Sequence, residues 1–114
     1  MSVKPTGTSP PPGTLRFEIK SAQLPLVALM VKSDDWDALA ADVCQQYGAA
    51  GESPDFFDND PVVLDFSAQA RDAALGDTAA LLQALRSCRL LPLAFRGEPA
   101  GWTAALLDAG LAQA

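Results

Sequence analysis

Leu15, Phe17 and Ile19 alternate with Arg16, Glu18 and Lys20 near the start of the chain, a period of two that predicts a half-buried strand. Ser21-Ala22-Gln23 supplies a short turn. The run Leu24 to Val31 is then apolar at nearly every position, the pattern of a strand covered on both faces. Pro25 has no N–H to give a ladder, so it belongs at the first residues of that strand or at a bulge. Together the two strands predict an opening hairpin. The period then changes: Trp36, Leu39, Ala40, Val43, Cys44 and Tyr47 recur at helical spacing and make one apolar stripe. Ser33 or Asp34 is placed to cap this helix, Asp35 and Asp37 lie in its first turn where the dipole favours negative charge, and Gly48 stops it.

Residues 49–60 read as a polar loop, and Pro61 to Phe66 as a buried strand entered from a proline. A second helix begins near Asp77 or Thr78, with Leu81, Leu82, Leu85 and Cys88 on one face. Leu90 to Phe95 is another short apolar strand, pushed by Pro92 toward an edge or a bulge. A third helix starts around Pro99 with Trp102, Ala105, Leu106 and Ala109 as its stripe and Gly110 as its stop. The order is β-β-α-β-α-β-α. It predicts an α/β fold in which a β-hairpin is followed by β-α-β units, giving a mixed four-stranded sheet packed on helices. Ahead of it, residues 1–14 are rich in proline and glycine without apolar periodicity and read as a disordered tail.

Composition narrows the chemistry. The 114 residues make one domain, and 49% are apolar, enough for a single core. The formal charge is −6 with no histidine. That balance disfavours a phosphate backbone as partner, so no nucleic acid is expected. Without histidine, the common Ser-His and Cys-His nucleophiles and the usual zinc sets are missing. No glycine-rich phosphate loop is present, and the reading assigns no catalytic, cofactor or metal residue. The longest apolar run falls far short of the ~20 residues of a membrane span, and the N-terminus does not resemble a secretory signal, which predicts a cytoplasmic protein with no direct membrane binding. Cys44 and Cys88 then read as reduced core thiols.

A few clusters invite a functional reading. Asp55, Asp58 and Asp60 lack the glycine and glutamate that a calcium loop requires, and read as a solvated loop. Phe56 and Phe57 between them are either that loop's hydrophobic anchor or an exposed contact patch. Ser67 follows the strand VVLDF without a base nearby, and it and Asp65 read as residues that end the strand and start the next turn. Arg16 and Lys20 share the polar face of the first strand. They are either charges that discourage uncontrolled strand pairing or a basic recognition edge on an acidic protein.

The stretches FEIKSAQLPLVALMV, DNDPVVLDFSA and LLQALRSCRLLPLAFRG, in that order and spacing, resemble the N-terminal domain of the MinC family of septum-site inhibitors of bacterial cell division, over about residues 15–112. The resemblance implies a non-enzymatic division inhibitor that antagonises assembly of the tubulin-like protein FtsZ. It also implies residues 15–114 as the inhibiting domain, with dimerisation and binding to the membrane-associated MinD assigned to a separate C-terminal β-helical domain that this chain does not contain. Recruitment to the membrane would then run through MinD alone. In the family a lysine followed by glycine in the hairpin matters for FtsZ antagonism. Glu18-Ile19-Lys20-Ser21 aligns with it, so Lys20, Ser21 and the neighbouring Arg16 are the candidate FtsZ contacts, with Ser21 standing where the family has glycine. The alternative is a STAS-type anti-sigma-factor antagonist switched by phosphorylation, which shares the strand-helix alternation. Its hallmark hydroxyl segment after the third strand corresponds here to Gln69–Gly76, which has no hydroxyl.

Overall fold

A computed structural model describes residues 16–114; the expected tail and Leu15 lie outside the described residues. The described chain runs β1 (Val27–Met30), α1 (Trp36–Tyr47), β2 (Asp60–Asp65), α2 (Thr78–Ser87), β3 (Leu90–Arg96), a 3-10 turn (Ala100–Trp102), α3 (Thr103–Asp108) and β4 (Ala112–Gln113). The strands lie in sequence order, β1-β2-β3-β4, and every pairing is parallel. The expected mixed sheet is therefore corrected to a wholly parallel one.

The opening hairpin is corrected as well. Arg16 to Leu26 form no strand, and Phe17 and Ile19 stand 69% and 63% exposed beside their charged neighbours. Alternation produces a strand only where a ladder partner and an apolar face are available. Here β1 is four residues long, and Pro25, two residues before it, brings no N–H to the approach. The run Leu24–Val31 is thus an edge rather than an interior strand: Leu24, Leu26, Val27 and Met30 are exposed, while Val31 is buried in the core and the half-buried Leu29 packs against it. A short strand not foreseen, β4, closes the other side, with Ala112 opposite Ala94 and Gln113 opposite Phe95.

The helices form where the stripes put them. Asp35, rather than Ser33 or Asp34, caps α1, its carboxylate accepting from the Ala38 N–H at 3.0 Å. Ser33 supports that cap from two residues earlier by accepting the Asp35 N–H. Gly48 ends the helix by turning to an extended conformation (ψ 172°), and glycine is required there because a Cβ would meet the Cys44 carbonyl oxygen at 2.5 Å. Asp77 caps α2 in the same way, accepting from the Ala80 N–H at 3.1 Å. Pro92 is accommodated by a bulge: it pairs with Val62, the next partner of β2 is Ala94, and Leu93 is the extra residue.

One core joins all three helices to a single face of the sheet. Val31, Val62, Leu64, Phe66, Leu90 and Phe95 from the strand side pack on Trp36, Leu81, Leu82, Leu85, Trp102 and Leu106. At its centre Phe66 stacks on Trp36 (5.5 Å between ring centroids) and meets Trp102 edge-on at 5.3 Å, while the two tryptophans form a T at 5.6 Å. The Trp102 indole N–H donates to the Ala73 carbonyl at 3.0 Å, so the ring's polar atom is satisfied inside the junction. Phe66→Ala should lower unfolding free energy by about 3–5 kcal/mol, since it removes a fully buried ring and both aromatic contacts. A urea titration of the variant beside the parent chain checks this, and a loss below about 1 kcal/mol would contradict the junction's role.

Candidate protein-binding surface

The face of the sheet away from the helices is the opposite parity of the same strands. Ala28, Val63 and Ala94 form one row across β1, β2 and β3, and Met30, Asp65 and Arg96 form the next. Val63 and Asp65, on the second strand, are buried between their neighbours, whereas Met30, Leu91 and Leu93 are 41%, 41% and 43% exposed. With Leu26 just ahead of β1 on the same parity as Ala28 and Met30, this gives an apolar surface with no element of the described chain over it.

A single ion pair crosses that surface. Arg96 Nε donates to Asp65 Oδ2 at 2.9 Å, and the Ser67 backbone N–H donates to Asp65 Oδ1 at 2.9 Å. Hydrogen bonds from Ser67, side chain first and then backbone, together with Arg96, hold the Asp65 carboxyl down to about 2. The reading of Asp65 and Ser67 as strand-ending residues matches this turn. Gly97 faces it in a left-handed conformation (φ 70°), and a Cβ there would collide with the Ser67 hydroxyl.

The rim beyond the C-terminal strand ends, where open parallel sheets often hold ligands, is tied up internally. Gln69, buried and not singled out by the sequence, donates from Nε2 to the Val31 and Ser33 carbonyls at 2.8 and 3.0 Å. Arg71 Nη2 donates to the carbonyls of Phe66, Gln69 and Gly97. These side chains lace the ends of β1, β2 and β3 together. No periodicity marks them; a polar residue one turn past a buried strand was the available signal.

The sequence-predicted residues lie elsewhere. Arg16, Lys20 and Ser21 are exposed on the irregular segment ahead of β1, and Lys20 reaches Glu18 at 3.7 Å with both side chains largely in solvent. Ser21 has no positive φ; among the described non-glycine residues that conformation belongs to Asn59 and Arg89. The two aromatic readings of the 49–60 loop divide between its residues. Phe57 packs against Tyr47 at 4.9 Å and touches the core, while Phe56 remains 65% exposed. Asp55 and Asp58 both pair with Arg89.

This architecture defines a small α/β domain with a one-sided helical layer and an unfilled sheet face. The family described as "Septum formation inhibitor MinC, N-terminal domain" matches residues 17–92, and the chain belongs to that family. A curated relative, "Probable septum site-determining protein MinC" of Ralstonia pickettii (strain 12J), is 33% identical over 91 residues, covering 78% of this chain. The chain spans about a third of the length of that relative (33%). Membership of a family of division regulators separates the two readings that the strand-helix alternation left open. No helix among the described residues is long and apolar enough to cross a membrane.

The Asp65 turn carries a pH dependence. Its folded value, about 2, lies below the ordinary 3.8, so the native state binds the carboxylate form preferentially. The stabilisation is present above 3.8 and is lost as the pH falls through about 2. The stability difference between the parent and Asp65→Asn should therefore be constant near neutrality and shrink over that acid window. Urea midpoints of both proteins across the window check it, and a difference independent of pH would contradict the assignment.

Proposed function

We propose that this domain inhibits bacterial septum formation by antagonising FtsZ polymer assembly, docking through its open sheet face and the basic segment that leads into it. The observation that carries the reading is the unfilled apolar face of Met30, Leu91 and Leu93 in a member of the septum-inhibitor family. Residues 15–114 act as the inhibiting unit. Dimerisation and MinD binding belong to the remaining part of the longer relative's architecture, and membrane recruitment of the cytoplasmic inhibitor runs through MinD.

Electrostatics supports the choice of contacts. The chain has eight basic residues against fourteen acidic ones, yet Arg16, Lys20 and Lys32 flank β1 and Arg96 lies on the open face. Lys20 supplies an unburied ammonium, and Arg16 a second cation four residues earlier. Ser21 follows Lys20 with a hydroxyl that both donates and accepts. The Lys20–Glu18 pair is solvent-exposed and is worth only ~0–1 kcal/mol, so exchanging it for an acidic group of a partner costs little.

FtsZ sedimentation with excess purified domain tests the reading. The parent chain should lower polymer mass or bundling, and Lys20→Ala should weaken this by up to about 2–5 kcal/mol if its partner carboxylate is desolvated. Lys20→Glu should weaken it further, with added salt shrinking the gap between the variants. Both should keep the parent's urea midpoint. Leu93→Glu should abolish the effect through the sheet face. Unchanged polymer with the parent chain overturns the function; full activity in Lys20→Glu overturns the contact while leaving the function standing.

A further inference from the structure

The chain's two cysteines, 44 positions apart in sequence, meet at the packing of α1 against the C-terminal end of α2. Cys44 projects from the third turn of α1, and Cys88 is the C-cap of α2; their sulfurs are 3.8 Å apart. Both are free thiols, Cys88 buried and Cys44 half-buried. Ser87 completes the cluster, with Oγ 3.7 Å from Cys44 Sγ and 3.9 Å from Cys88 Sγ, and it is itself exposed. We infer that Cys44 and Cys88 form a peroxide-responsive thiol pair, closing a reversible disulfide that staples α1 to α2.

The chemistry balances with hydrogen peroxide as the two-electron oxidant. The more accessible Cys44 thiolate attacks one peroxide oxygen, the O–O bond breaks, and Cys44 becomes a sulfenic acid as hydroxide departs and is protonated to water. The Cys88 thiolate then attacks the Cys44 sulfur. An S–S bond forms, the S–OH bond breaks, and the second oxygen leaves as water. Two thiols and one peroxide give one disulfide and two waters. The sulfurs must close from 3.8 Å to about 2.05 Å for the bond to form. The Ser87 hydroxyl donates to the Ala84 carbonyl at 2.6 Å, which leaves its oxygen to accept from either thiol. Burial pushes the Cys88 thiol up, and the neighbouring Cys44 thiol acts in the same direction, so the resolving step should accelerate as pH rises.

The proposal stands apart from the septum reading, because its test involves no partner. Hydrogen peroxide is added to the reduced full chain, and thiols are counted in denaturant alongside intact mass and non-reducing electrophoresis. The expected product is a monomer with both thiols lost, a mass about 2 Da lower, a higher urea midpoint, and full reversal by dithiothreitol. Cys88→Ser should stop at a Cys44 sulfenic acid that dimedone traps, and Cys44→Ser should leave Cys88 reduced. Disulfide-linked dimers would overturn the proposal. So would a parent chain that resists peroxide, or one in which Cys44 climbs to the sulfinic acid while the Cys88 thiol survives.

Discussion

Parallel neighbours cannot be joined by a tight turn, and this constraint organises the molecule. Each step from β1 to β4 needs a crossover that carries the chain back to the start of the sheet, and such crossovers share one hand. Because the strands also follow sequence order, every crossover falls on the same side. All three helices therefore pack on one face, and their stripes bury Val62, Leu64, Phe66, Leu90 and Phe95. The other parity of the same strands is left uncovered. The open face with Met30, Leu91 and Leu93 is a direct result of that strand order, not a separate feature laid over it.

Within that frame, the polar groups decide where chemistry is absent. The C-terminal rim has the geometry that nucleotide-binding α/β proteins exploit, but its strongest donors are committed. The Gln69 amide and one Arg71 nitrogen are spent on five backbone carbonyls between them, and Arg96 is turned toward Asp65. A donor held by backbone carbonyls serves a ligand only by giving up those bonds. The rim is thereby a clamp that fixes the strand ends.

Elements whose partners are local were legible in the sequence. The stripes of α1 and α2, the buried VVLDF strand and the stops at Gly48 and Gly110 follow from helix periodicity and backbone sterics. Pairing was not legible. The alternation of Phe17 and Ile19 records which residues a strand would turn inward, but whether an edge receives that strand depends on contacts remote in sequence. Pro92 left an edge strand or a bulge open, because a missing donor is a local property, and β3, paired on both sides, takes the bulge at Leu93. The strand β4 was not, since two residues carry no period. The meeting of Cys44 with Cys88 is likewise a matter of helix packing, and no sequence spacing records it.

An exposed apolar face beside a free strand edge invites self-association, so its presence needs a countervailing restraint. Three are built into this chain. β1 has only four residues, which keeps any ladder formed on its outer edge short. Pro25 stands just before it, withholding a donor where an added strand would extend the pairing. The net charge of −6 sets two copies against one another at long range. A surface arranged in this way resists association with a second copy of itself.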